Sequence, residues 1–406
     1  MAVALLASPL LLWRVSVRTS LRNAFFPAAK PYYWLSPLLA RMAVIREGKV
    51  AIEMGEKVFY NPRMEMNRDI TVACLMCLPD VKSYVDAMAA SGIRGIRIKK
   101  EVLREIDVTV NDWDAGAYEL IRHNAEANGV TVNVSNRGAN TLLSSTQYDF
   151  VDIDPFGTPS PYIDSVCRAS KRAMGITATD TAPLCGAHLR SGMRKYGAFP
   201  VKTEYYPEIG LRVLLGKVVR EEAKYDRAVK PLLCHATEHY VRLYLAVEHG
   251  VVPADRMLDQ MGFILDCSHC HFRELLPGLA VLPPDRCPNC GAKVRIAGPL
   301  WLGAIKDNTF VSQVLGVMNT GEFGKQERAV RLLETILGEI DVPTFYDHHK
   351  ICRDLRATPT TVEVLLDALR GVGFQASRTH FSGIGFRTDA PVNIVKKVIS
   401  DLSRRV

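Results

Sequence analysis

The strongest constraint on the fold lies between Tyr148 and Pro159, where an apolar run ends abruptly in Asp154-Pro155-Phe156-Gly157. Val151 and Ile153 carry the β-branching and alternation of a buried strand. Pro155, Gly157, Pro159 and Pro161 then forbid its continuation, because proline lacks the N–H that a sheet requires. Taken alone, Asp-Pro is also an ordinary turn opener. In an open α/β sheet, however, ligands bind just beyond the carboxyl ends of the strands, which is where Asp154 and Phe156 would stand.

The neighbouring segments supply such a sheet. Tyr84 to Gly95 is expected to form a strand, a turn of small residues and a helix start, with Asp86 and Gly92 at the cofactor turn. Val108 to Val110 gives a second strand ending near Asp112, an acid placed to accept both ribose hydroxyls of an adenosine. Asp114 is expected to cap the helix from Ala115 to Asn128, Val130 to Val134 form a third strand, and Ala139 follows in the next loop. Tyr148 onward is the fourth strand, Tyr162 to Ala173 a helix and Gly175 to Thr181 the fifth strand. Strands alternating with helices at this spacing predict a Rossmann-like α/β domain with a parallel sheet. Such a sheet can hold a dinucleotide or S-adenosylmethionine. The fourth strand decides between them: an acid, a proline and an aromatic can orient an amino group for methyl transfer, whereas a dehydrogenase has no use for that motif.

Other segments carry separate signals. Cys267-x-x-Cys270, then sixteen residues, then Cys287-x-x-Cys290 predicts a four-thiolate structural zinc site, with His269 and His271 as spares. Cys74 and Cys77 have no partner pair and are expected to be buried thiols. From Cys185 to Lys202 the chain interleaves Arg190, Arg194 and Lys195 with aromatics, a pattern that suits RNA and equally a solvated loop. Asp69 is expected to cap a helix over Ile70 to Leu78, and Arg220 to Lys230 to form an exposed helix. Helices are expected over Glu327 to Gly338, Phe345 to Leu355 and Thr361 to Gly371.

At 406 residues, with a formal charge of +8, the chain exceeds one typical core and is compatible with a nucleic-acid partner. Residues 1–41 are Arg-containing and acid-free. They are expected to be an extension lacking order, with Met42 as the true start and an organelle transit peptide as the alternative. Their apolar run is too short to span a bilayer, so no membrane association is expected.

The residues from Phe59 to Met64, Asn67 to Asp69, Ala90 to Arg97, Asp154 to Pro159, Thr177 to Gly186, Glu208 to Arg212, Ala376 to Phe381 and Arg387 to Pro391 resemble the tRNA guanine-26 N2-dimethyltransferases, over about Val44 to Leu402. That resemblance implies a class I S-adenosylmethionine methyltransferase domain over 42–250 and a C-terminal tRNA-binding α/β domain with zinc over 251–406. It implies cofactor contacts at Arg68, Arg94 and Asp112, joined by Asp86, Gly92 and Ala139, and a methyl-transfer site at Asp154, Pro155, Phe156 and Phe59. Gly138 departs from the family pattern, which more often has an acid there to hold the adenine amino group. Lys350, Arg353, Arg356, Arg378 and Arg387 are expected to neutralise tRNA phosphates. The expected partner is tRNA, with no obligate protein partner, in the cytoplasm. The rivals are the same chemistry on another guanine or amino group, and an RNA-binding protein that keeps the fold without catalysis.

Overall fold

Seven strands form the central sheet: β1 (Ser83–Asp86), β2 (Asp107–Asn111), β3 (Asn133–Ser135), β4 (Tyr148–Ile153), β5 (Ser170–Ala178), β6 (Arg227–Thr237) and β7 (Tyr240–His249). Their spatial order is β3-β2-β1-β4-β5-β7-β6. All run parallel except β7, which is antiparallel to both neighbours. The order reverses between β1 and β4, so their carboxyl ends open a crevice where an open α/β sheet binds its ligand. The computed structural model describes residues 44–54 and 58–404, and the expectations for residues 1–41 lie outside them.

The helices follow from local chemistry. Helix α1 (Glu65–Met76) is followed by α2 (Ile93–Glu101) and α3 (Ala115–Ala127). Asp114 caps α3 as expected, its side chain accepting from the Ala117 N–H at 2.9 Å. Gly92 opens α2 with φ +80°, a left-handed conformation that a Cβ disfavours. At Gly95 a Cβ would lie 2.6 Å from Val110, so this glycine lets α2 pack directly on β2.

Four local expectations are corrected. Asp69 is no cap: α1 starts at Glu65, and Asp69 is fully buried in it, 2.7 Å from Arg97. The helix expected to reach Ala173 stops at Ala169, because Ala173, Met174 and Ile176 are buried in β5 between β4 and β7. Arg220 to Lys230 is not one exposed helix: an eighteen-residue helix, Tyr206–Ala223, ends there, Asp226 turns with φ +52°, and β6 begins. Phe345 to Leu355 divides into the strand Tyr346–Asp347 and the helix His348–Leu355, capped by Asp347.

One face of the sheet is covered by a core that includes Val151, Ile153, Ile176, Leu211 and Leu215. The other face packs Ile70, Cys74 and Phe150 against Phe310, Val314 and Leu333, which belong to the helices Asn308–Thr320 and Gln326–Gly338. A third core, with Ile351, Leu365, Phe386 and Val395, organises the C-terminal sheet of Tyr346–Asp347, Ser382–Thr388 and Ala376–Thr379. Among the described residues, no helix is long and apolar enough to cross a membrane.

Candidate active site and thiolate centre

Asp154 is the first residue beyond β4 and keeps 18% of its side-chain surface exposed. Arg94, reaching across from α2, pairs with its Oδ2 and donates from Nη1 to Asn67 Oδ1 (2.7 Å) and Thr71 Oγ1 (2.9 Å). Asp154 Oδ1 takes no hydrogen bond among the described residues and remains a free acceptor beside the crevice. Two further residues, assigned no role from the sequence, support this pair. Asp152, two positions earlier on the same face of β4, is fully buried and receives both Nη atoms of Arg242 at 2.8 Å. Burial alone would raise the Asp152 carboxyl, but Arg242 and Arg94 overcome it and hold it below the ordinary value. A charged residue inside an otherwise apolar strand was the available signal for Asp152. Arg242 lies about 90 residues away and had none.

Phe59 and Phe156 meet edge to face, with ring centroids 4.4 Å apart and planes at 83°. They remain 45% and 74% exposed, which is unusual for large apolar rings in contact with each other and suits a planar ligand. Pro155 is buried beneath them. The loop is fixed from behind: Gly157 N–H donates to Thr179 Oγ1 at 2.8 Å, and its carbonyl accepts from Thr179 N–H at 2.9 Å.

The residues expected to hold a cofactor differ in burial and in the hydrogen-bonding capacity they leave free. Asp112 is half-buried at the end of β2, and its two oxygens accept from Ala90 N–H (2.9 Å) and Asp114 N–H (3.0 Å). Each oxygen retains a lone pair for a ribose hydroxyl. Asp86 is buried at the end of β1. Burial pushes its carboxyl up to about 7 despite the opposing charge of Arg94. Ala139 is buried in the first turn of the helix Ala139–Ser145, whose cap residue Gly138 offers no side-chain acceptor. Arg68 is bound to Glu47 through Nε (2.8 Å) and Nη2, while Nη1 has no partner among the described residues. The Asn67 Nδ2 is buried without an acceptor. An open diol acceptor, a left-handed turn at Ala90 and Gly92, and an orphaned donor fit an adenosine-bearing cofactor with polar groups at its far end.

Cys267, Cys270, Cys287 and Cys290 bring their sulfur atoms within 4.8 Å of one another. The Cys267–Cys290 and Cys270–Cys287 separations are both 3.6 Å. A tetrahedron of thiolates around zinc has edges of about 3.8 Å, given Zn–S bonds of about 2.3 Å, so the donor set fits that ion. Both knuckles turn alike: His271 and Gly291 follow the second cysteine with φ +63° and +72°. No histidine stands within the cluster; His271 instead meets Asp354 at 2.7 Å. Cys74 is buried as expected and Cys77 half-buried. Of the C-terminal cations expected to meet tRNA, Arg387 is corrected: it is 2% exposed and paired with Glu208 and Glu339 inside the protein.

With this geometry established, comparison with known proteins adds independent findings. Residues 40–400 match the family model described as N2,N2-dimethylguanosine tRNA methyltransferase. The tRNA (guanine(26)-N(2))-dimethyltransferase of Methanosarcina acetivorans is 49% identical over 359 residues, covering 85% of this chain and 92% of the relative. That of Haloarcula marismortui is 42% identical over 369 residues, covering 88% of this chain and 100% of its own length. Trm1 from Pyrococcus horikoshii, solved in complex with S-adenosyl-L-methionine, is 36% identical with a TM-score of 0.82, covering 88% of this chain and 100% of that one.

Proposed function

The chain belongs to the N2,N2-dimethylguanosine tRNA methyltransferase family, and from that premise we propose that it transfers methyl groups to the exocyclic N2 of guanine 26 in tRNA, first one and then a second. The observation that carries the proposal is the free Asp154 acceptor standing at the carboxyl end of β4 beside the exposed Phe59–Phe156 pair.

S-adenosylmethionine, when bound, supplies an electrophilic methyl group on a sulfonium. Asp112 would accept its ribose hydroxyls, the Ala87 to Gly92 turn would lie against its body, and Ala139 would border the adenine. Arg68 Nη1, without a partner among the described residues, is the atom that would meet a carboxylate. Arg94 acts through Asp154, since its two Nη atoms are engaged by Asp154, Asn67 and Thr71. The guanine must leave its stack to reach this depth, as for other base-modifying enzymes. Phe59 and Phe156 hold its ring. Asp154 Oδ1 accepts one N2–H and turns the nitrogen lone pair toward the methyl carbon. As the N–C bond forms, the S–C bonding pair returns to sulfur, and the proton lost from N2 passes toward the carboxylate or solvent. One N–H remains after the first transfer, so the same acceptor can orient the second.

We assign the four thiolates to a structural zinc, because four sulfur ligands leave no open position for a reaction. All ten cysteines are unpaired, which accords with a reducing compartment such as the cytoplasm. The test is incubation with labelled S-adenosylmethionine and unmodified tRNA, followed by nucleoside analysis. Dimethylguanosine that disappears when guanine 26 is replaced is the expected result. Label at another nucleoside, or tRNA binding without any label, would overturn the proposal.

A further inference from the structure

Beside the catalytic loop lies a surface whose chemistry none of the roles above uses. Between Thr181 and Thr203 the chain contains no aspartate or glutamate, yet it carries His188, Arg190, Arg194, Lys195 and Lys202. Lys195 pairs with Asp180 at 3.0 Å, whereas Arg190, Arg194 and Lys202 are exposed and have no carboxylate partner among the described residues. Exposed apolar groups are interleaved with them: Phe199 is 50% and Tyr206 48% exposed. Thr181, Ala182, Cys185, Ala187, Lys202 and Tyr206 line a notch of about 150 Å³ within this surface.

The surface is rigidly joined to the methyl-transfer loop. Tyr196 OH lies 2.8 Å from Thr158 Oγ1 and donates to Asp180 Oδ1 at 2.5 Å, and Ser160 Oγ donates to the Lys195 carbonyl. The helix Leu189–Tyr196 therefore cannot shift without moving the loop that carries Asp154 and Phe156.

We infer that this surface grips the RNA strand flanking the target guanine, with Arg190, Arg194 and Lys202 on its phosphates and a neighbouring nucleotide at the Tyr206 notch. The inference rests on the methyltransferase proposal for the identity of the RNA. Its physical basis is independent: unpaired cations without nearby acids match a phosphate backbone, and exposed rings between them match unstacked bases. A strand that delivers an extruded base to Phe156 must run across the adjoining surface, and Thr158 and Ser160 join the methyl-transfer loop directly to this helix.

The experiment compares the full chain with Arg190→Ala/Arg194→Ala and, separately, Tyr206→Leu. Affinity for unmodified tRNA is read by fluorescence anisotropy across a salt series, alongside methyl transfer and S-adenosylmethionine affinity. The double variant is expected to bind tRNA at least tenfold more weakly, and its salt slope should fall by about 1.4 to 1.8, roughly 0.7 to 0.9 for each lost phosphate contact. Tyr206→Leu should weaken binding with an unchanged salt slope. S-adenosylmethionine affinity should stay as in the unaltered protein, showing that the fold is intact. An unchanged tRNA affinity, or weaker binding by the double variant with an unchanged slope, would overturn the inference. Because binding is read without turnover, a protein that grips tRNA through these arginines yet transfers no methyl group would sink the proposed reaction and leave the grip standing.

Discussion

Arg242 and Asp152 meet through two parallel hydrogen bonds of 2.8 Å at the centre of the sheet, directly beneath the acceptor proposed to orient the guanine. A Cβ on Gly175 would come within 2.3 Å of Arg242 Nη2, so the guanidinium passes over β5 only because that position has no side chain. Removing Arg242 leaves the fully buried Asp152 with only Arg94 at 3.7 Å and the Tyr84 hydroxyl at 3.2 Å, and Arg242→Met is expected to cost about 3 to 5 kcal/mol in denaturant unfolding. The pair also has a pH signature. The Asp152 carboxyl lies below its ordinary value of 3.8, so its contribution is complete above about that pH and is lost as pH falls through the lower folded value. The acid limb of the stability curve should flatten in Arg242→Met. An unchanged acid limb would show that the pair does not govern acid unfolding.

Asp154→Asn preserves shape and removes the charge. The amide oxygen still accepts a hydrogen bond, but it can neither take up the N2 proton nor hold Arg94 by charge, and kcat is expected to fall by about 10²- to 10⁴-fold. Binding of tRNA should change little, because the extruded base is the one part of the tRNA that Asp154 is proposed to touch. Single-turnover methyl transfer measures the first quantity and anisotropy the second; a rate within a few-fold of the unaltered protein would remove Asp154 from the reaction.

Phe59→Ala and Phe156→Ala test the paired rings. Phe156 is largely exposed and Phe59 nearly half exposed, so thermal stability should change little. Each lost stacking contact is expected to weaken capture of the base by about 1 to 3 kcal/mol. The measurement is kcat/KM for tRNA, set against an unfolding curve that does not move.

Gly138→Asp probes the departure from the family pattern. Gly138 has φ −58° and ψ 135°, which any residue adopts, and a Cβ there would meet only Thr141 Oγ1 at 3.6 Å. The substitution should therefore be tolerated, and a new cap acceptor for the helix Ala139–Ser145 should add about a few tenths of a kcal/mol of stability over the glycine. A carboxylate that reaches an adenine amino group should also tighten S-adenosylmethionine binding by about tenfold, equivalent to one charged hydrogen bond of roughly 1.5 kcal/mol. Isothermal titration calorimetry checks the second effect. Stabilisation without tighter binding would place the adenine elsewhere.

Cys267→Ser should reduce bound zinc from one ion per chain, measured by elemental analysis, and lower the melting temperature with it. Folding around the four cysteines is expected to depend on the metal, because Cys267 and Cys270 are packed with Leu265 and Val294 in a core of few residues. A metal-free variant with an unchanged melting temperature would refute the zinc assignment.

The sequence by itself determined five parallel strands, the stop that places Asp154 just beyond the fourth, the cap at Asp114 and the thiolate quartet. These features are written in local chemistry: β-branched alternation, proline and glycine that stop a strand, a short acid before a helix, and paired cysteines at metal spacing. Only the tertiary structure decided where the charges go. Asp69 looked like a cap and is a buried partner of Arg97; Arg387 looked like a phosphate contact and is held inside by Glu208 and Glu339. Arg242 carried no signal, yet it supports the site from a strand that enters the sheet in reverse. The physical reason is that a charge acquires its role from whichever opposite charge shares its burial. That partner is brought by packing from distant parts of the chain, which no local pattern records.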